Sequence, residues 1–310
     1  MTIDLCGMEL EHPVMNAAGV VKTIRELEVA VISPLSAIVI GSLTGSQEER
    51  VGNPEPCLIY DRARGYVVNA MGLPEPGLDY YDKSYNASRW LKLLDMARAD
   101  GKKIILSIAP LGDFLENLEI LIGLAKKWEV DAIELNLGCP NVWSASWQKP
   151  IASYDRDGIF QQVRSVLRCW DGPVGLKMSP YSNPLELRRA ALLIAQLTCN
   201  PADRHRVYIV TSNTFPNAVV VKDGKPSLSV EYGGFSGPAY LPIALGQVLQ
   251  WVRALKEYES KAPVVGVGGI TTGQDVRDFL NLGAVAVQVG WKYFDRGPAS
   301  VEQILANCWI

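Results

Sequence analysis

Residues 133–141, IELNLGCPN, place a thiol between two amides: Asn136 lies just before Cys139 and Asn141 just after it. The first half of the segment reads as the end of a buried strand, so Cys139 opens the loop that follows. A thiolate at a strand end serves as a proton acceptor from a carbon acid or as a nucleophile. The only histidines are His12 and His205, neither near it in sequence. A Cys–His nucleophile pair is therefore poorly supported, and a general base is the better reading. Asn16, Asn69 and Asn213 extend the set of amides. An amide offers both a donor and an acceptor, so several converging on one point would hold a small, flat, polar ring. Taken singly, each is as well explained as a turn or cap residue.

Two further features carry charge chemistry. Lys177 ends the run PVGLKMSP (173–180). A buried ammonium is costly unless paired, so Lys177 needs either a polar ligand or an ion-pair partner such as Glu134. Two strand-like runs end in glycine: VGVGGITTGQD, with Gly268 and Gly269, and VQVGWK, with Gly290. Bare backbone N–H groups and a helix start attract a phosphate, although turn glycines alone would look the same. YGGFSG (232–237) is expected to add a third glycine loop to the same ligand.

These residues need a frame. Eight short β-rich runs recur, at 13–19, 36–44, 103–110, 132–141, 173–180, 207–214, 263–270 and 284–290. Near-continuous apolar runs suit strands buried on both faces of a parallel sheet. Helical patterns separate them. Asp113 caps one, whose buried face is read as Leu115, Leu118, Ile122 and Ala125. Asn183 caps another, with Pro184 at its first position. A third opens at Thr271 or Thr272 and closes near Gly283. The expected architecture is α/β, a (β/α)8 barrel over residues 1–310 as a single domain. Asn16, Ser42, Ser107, Asn136, Lys177 and Asn213 fall at strand C-termini, where such barrels carry their sites. Long insertions at 45–81 and 142–158 leave from the same face and read as lids or binding loops.

Composition narrows the class. The chain has 310 residues, 48% hydrophobic, with net charge -3. No basic field favours nucleic acid. The start lacks a signal-peptide pattern, and the longest apolar run, 29–43, is interrupted by Pro34 and too short to span a bilayer. The six cysteines form no C-x-x-C pair and no metal-ligand spacing. They read as reduced thiols of a cytoplasmic, non-membrane protein with no metal site. Apart from Cys139, they are taken as small buried hydrophobes, with Cys308 and Cys57 as exceptions.

The motifs PVMNAAG, GNPEP, VVNAMGLPEPGLDYY, IELNLGCPN, GLKMSPY, TSNT, GGFSGPAYLPIAL and VGVGGITTGQD run nearly end to end. Together they resemble the dihydroorotate dehydrogenases, specifically the soluble single-subunit class. The resemblance implies a barrel that binds FMN, with a cysteine, here Cys139, as the catalytic base. It implies that Ala17, Ala18, Gly19 and Ser42 line the flavin and that Lys177 sits near its N1/O2 edge. Gly237, Gly268, Gly269, Gly290 and Trp291 would cradle the phosphate. Asn69, Met71, Gly72, Leu73, Asn136, Asn141, Asn213 and Thr214 would hold the pyrimidine. The reaction implied is dihydroorotate to orotate, with a soluble fumarate-like acceptor and a homodimeric protein.

One departure stands out. The family carries a lysine at the end of the second strand that contacts flavin and substrate; here that place is Gly41, and no lysine lies between Lys22 and Lys83. Arg50, Arg62, Arg64 and Lys149 are the candidates for a replacement charge. Otherwise the substrate is another dihydropyrimidine or lactam. Two remoter alternatives are an enzyme like the tRNA-dihydrouridine synthases, which share an FMN barrel and a GCP cysteine, and a flavin-binding protein without catalysis.

Overall fold

The computed structural model describes residues 2–144 and 147–308. The eight expected strands close into one parallel barrel. They are β1 Val14–Asn16, β2 Ala37–Leu43, β3 Lys103–Ile108, β4 Ala132–Asn136, β5 Val174–Met178, β6 Val207–Thr211, β7 Val264–Val267 and β8 Ala284–Val289. Each pairs with the next, and β8 closes on β1. The expected (β/α)8 barrel is thus the observed fold.

Between them run α1 Ile24–Ile32, α2 Ser84–Ala99, α3 Phe114–Lys127, α4 Arg156–Cys169, α5 Pro184–Leu197, α6 Leu241–Glu257 and α7 Gly273–Asn281. Pro298–Ala306 ends the described chain as α8. Side-chain oxygens of Asp113 and Asn183 cap α3 and α5 as their sequences predict. At α7 the cap is Thr272, in a reciprocal box with Asp275, while Thr271 lies one residue outside and donates to the same carboxylate. On α3 the buried face is Leu118, Leu121, Ile122 and Ala125. Leu115 is 65% exposed because it lies in the first turn, ahead of the layer that packs on the sheet.

Two apolar layers result. One lies between the sheet and the helices and includes Trp90, Trp128 and Trp251. The other fills the barrel interior with Met15, Val39, Ile105, Tyr208, Val210 and Val265. Leu5, Met8 and Leu10 join the inner cluster from an antiparallel hairpin, Ile3–Leu5 with Met8–Leu10. That hairpin stoppers the barrel's N-terminal end, a role its short alternating strands did not announce.

The expectations for three loop segments and four cysteines change. Much of the 45–81 insertion is ordered: Leu58–Asp61 and Tyr66–Asn69 form a hairpin. This hairpin joins Gly233–Ser236 and Phe215–Ala218 in a four-stranded antiparallel sheet. YGGFSG is therefore mostly strand, its main chain engaged in pairing with Tyr66–Asn69. In the 142–158 loop, Trp143–Ser144 pairs with Trp147–Gln148; residues 145 and 146 lie outside the described residues. Cys57 and Cys308 are buried, whereas Cys169 and Cys199 are exposed. Cys169 ends an amphipathic helix at its solvent side, and Cys308 packs into the outer core.

Candidate active site

A cleft opens at the C-terminal end of the barrel. Counting its open mouth, it encloses about 1300 Å³. The strand ends form its floor, and Leu58, Val67 and Asn69 of the four-stranded sheet form part of its wall.

Cys139 reaches this cleft through close backbone packing. The N–H of Leu137 donates to the Lys177 carbonyl at 3.0 Å, and the Ser179 hydroxyl donates to the Gly138 carbonyl at 2.9 Å. A Cβ on Gly138 would stand 2.6 Å from the Ser179 nitrogen, so only glycine lets the loop lie against β5. Cys139 follows directly and is half-buried. Burial pushes its thiol pKa up, while the Asn141 backbone N–H and the charges of Lys22, Lys177 and Arg50 pull it down.

The amides bind one another around it. Asn136 donates to the Ser42 hydroxyl at 2.9 Å and accepts from Asn213 at 3.1 Å. Ser42 is held in turn by Ser107 at 2.8 Å. Asn141 donates to Asn69 at 2.7 Å and accepts from the Gly234 N–H at 3.1 Å, tying the Cys139 loop to the sheet above. Each donating NH2 group keeps a second hydrogen, so the network is held in place and still has donors to spend. Asn16 behaves differently. It is fully buried and makes paired bonds to Val39, donating at 2.7 Å and accepting at 2.9 Å. It thereby supplements the β1–β2 ladder, which has a single residue pair, and does not line the cleft.

At the other end, Gly268 and Gly269 follow β7 with φ of 127° and 77°. A Cβ on Gly269 would stand 2.5 Å from the Leu241 nitrogen at the start of α6. Side chains are excluded there, which leaves main chain facing the cleft. Gly237, Gly290 and Trp291 line the same end, and Ala17, Ala18 and Gly19 line it from the loop after β1. Lys177 is buried, with its Nζ 3.6 Å from Glu134 Oε1. Lys177 is thus paired with Glu134, one of the two alternatives weighed for it, and it also lines the cleft.

Met71, Gly72, Leu73 and Thr214 also line the cleft. Of the four suggested replacement charges, none does among the described residues. Arg62 pairs with Asp295 at 3.4 Å and Arg64 with Asp61 at 2.8 Å. Lys149 is exposed, and Arg50 donates to the Gly72 carbonyl behind the wall. Besides Lys177, Lys22 and Lys292 line the cleft, both absent from the candidates read from the sequence, and of these two Lys22 is the buried one. The available signal was its place just past the first strand's AAG turn.

A closed parallel barrel with a thiol, a linked set of amides and two buried lysines at its C-terminal mouth is a barrel enzyme's architecture. Comparison with known proteins says of which kind. The family model described as dihydroorotate dehydrogenase matches residues 1–308. The chain is 30% identical over 307 residues to "Dihydroorotate dehydrogenase B (NAD(+)), catalytic subunit" of Alkaliphilus metalliredigens, covering 98% of this chain and 91% of that one. It is 30% identical over 312 residues to "Dihydroorotate dehydrogenase (fumarate)" of Kluyveromyces lactis, covering 99% and 91%. It is 28% identical over 309 residues to "Probable dihydroorotate dehydrogenase A (fumarate)" of Enterococcus faecalis, covering 98% and 91%. The chain belongs to the dihydroorotate dehydrogenase family and is an oxidoreductase of that family. Among the described residues, no helix is long and apolar enough to cross a membrane.

Proposed function

We propose that this barrel binds FMN and oxidises dihydroorotate to orotate with Cys139 as base. The observation that carries the reading is the convergence of Cys139, the linked amides and Lys177 on one cleft of a whole-chain family member. The cleft fits the cofactor. Its glycine-lined end, where a Cβ at Gly269 would collide with Leu241, presents main chain to a phosphate. The small side chains of Ala17 and Ala18 leave room for a flat ring.

Within that reading, Gly237, Gly268, Gly269, Gly290 and Trp291 hold the phosphate end, and Ala17, Ala18, Gly19, Ser42 and Lys177 hold the ring. The bound flavin supplies a hydride acceptor. Asn69, Asn136, Asn141 and Asn213, with Met71, Gly72, Leu73 and Thr214, hold the pyrimidine beside Cys139. The Cys139 thiolate would take the proton from C5, and FMN, when bound, would supply the acceptor for the hydride from C6, so that a C–C single bond would become a double bond. The amide network fixes the ring's orientation before reaction and limits reorganisation during it.

The electron acceptor is placed with small soluble dicarboxylates of the fumarate type. The named relatives include both fumarate and NAD(+) enzymes, and reoxidation of the reduced protein by each compound separates the two. The reaction is tested by adding dihydroorotate anaerobically to the purified yellow protein. Bleaching of the visible flavin band is expected. Unchanged absorbance would remove the substrate assignment and leave flavin binding intact.

A further inference from the structure

Gly41 cannot carry a side chain in this fold. Its φ is 100°, and a Cβ would stand 2.3 Å from the Ser107 carbonyl oxygen on β3. Its N–H instead donates to the Val21 carbonyl at 2.8 Å, in an isolated bridge between the end of β2 and the loop after β1. The next residue in that loop is Lys22.

Lys22 is held firmly. The α1 capping carboxylate of Glu26 accepts from its N–H at 2.7 Å, and the Tyr81 hydroxyl donates to its carbonyl at 2.5 Å. Tyr81 is packed edge-on against Trp90 and Trp128, with centroids at 4.7 and 4.9 Å. Lys22 lines the cleft at 8% residue exposure, and its ammonium donates to the Pro74 carbonyl at 2.5 Å. The lysines that form ion pairs are Lys102, Lys103, Lys127 and Lys177; among the described residues Lys22 has none. The nearby carboxylate of Glu75 is turned to Thr44, accepting from its N–H at 3.0 Å and from its hydroxyl. A buried cation with one neutral acceptor and no ion-pair contact is costly, unless a ligand brings the missing charge.

We propose that Lys22 is the anion receptor for the substrate, displaced across the Val21–Gly41 bridge from the second strand, and that the ring beside Cys139 carries a carboxylate. The proposal rests on the reaction assigned above and selects dihydroorotate over neutral dihydropyrimidines and lactams.

The test compares orotate with uracil, the same ring without the carboxylate. Binding to the oxidised flavoprotein is followed by the flavin absorbance change and by calorimetry. Wild type should prefer orotate. Lys22→Met should weaken orotate by about 10- to 100-fold, the loss of one charge-assisted bond, and leave uracil unchanged. Lys22→Arg should restore much of the loss. A retained flavin spectrum identifies folded variants, and Lys22→Gln replaces the Met variant if that one fails to fold. Equal orotate affinity in wild type and variant overturns the proposal, as does an equal loss for orotate and uracil. Dihydroorotate that reduces the flavin in both proteins with unchanged affinity would leave the reaction standing and remove Lys22. A wild type that binds orotate no better than uracil overturns the carboxylate.

Discussion

Lys177 Nζ lies 3.6 Å from Glu134 Oε1 inside the barrel, close enough for an ion pair but too far for a hydrogen bond. The other carboxylate oxygen accepts from Gln288 at 2.5 Å. Lys177 is thus partly neutralised from below and keeps its donors for the cleft. In the proposed flavin site, its positive charge favours the reduced, more negative cofactor. Lys177→Met should lower the two-electron flavin midpoint potential by roughly 30–60 mV, equivalent to about 1.5–3 kcal/mol. A spectroelectrochemical titration reads this directly. An unshifted potential would mean that Lys177 serves only to balance Glu134.

Cys139 must be deprotonated to act as base, and burial raises its thiol pKa above the ordinary value. A raised pKa moves the acidic limb of the rate profile upward, so turnover should climb as pH rises through the alkaline range. Cys139→Ala should abolish turnover and leave flavin binding intact. Cys139→Ser should move the limb to higher pH, because an alcohol is the weaker acid. The pH dependence of flavin reduction under single-turnover conditions checks both; unchanged reduction in Cys139→Ala would remove the base.

Lys22 is shifted the other way. Burial lowers its pKa, partly offset by Glu75, Cys139 and Glu26. A carboxylate ligand requires the charged ammonium, which is present below that lowered pKa and lost above it. Orotate affinity should therefore fall as pH rises, while uracil affinity should not follow the same curve. In Lys22→Arg the fall should flatten, because a guanidinium stays charged throughout. Dissociation constants measured across pH for the two ligands decide it; parallel curves would point to another group.

Putting the lysine back at position 41 should fail. Gly41→Lys forces an L side chain to a positive φ, at about 1–2 kcal/mol, and drives its Cβ into the Ser107 carbonyl. The variant should lose at least about 2 kcal/mol in urea unfolding and gain no orotate affinity. A stable variant with tighter orotate binding would show that the backbone there adapts.

Trp128 supports the site from a distance. It is fully packed against Tyr81 and Trp90, below the loop that carries Lys22. Trp128→Ala should cost about 3–5 kcal/mol and weaken orotate binding more than flavin binding, because Tyr81 anchors the Lys22 carbonyl. Chemical denaturation and ligand titration of the same preparation measure both effects. A stability loss under about 1 kcal/mol would mean that the cavity refills.

The barrel was legible in the sequence because its signals are local. Apolar runs of strand length alternate with capped amphipathic helices, and each such element is specified by a few neighbouring residues. Cys139, the amides and Lys177 were legible because barrel topology sends strand C-termini to one face. What spacing could not tell was which amide points inward: Asn16 turns sideways to Val39, whereas Asn136 and Asn213 join each other. Gly233 and Gly234 looked like part of a ligand loop and became a strand, because their pairing partner lies far away in the chain at Tyr66–Asn69, whereas Gly237 just beyond lines the cleft. The missing charge was sought on the two long loops, at Arg50, Arg62, Arg64 and Lys149. Only the tertiary structure puts Lys22 near Gly41, through a backbone bridge to a segment before β2, because hydrogen bonds between distant main-chain groups leave no trace in residue type. Local chemistry decides which elements form and which side chains reach the mouth; long-range packing decides which of them meet.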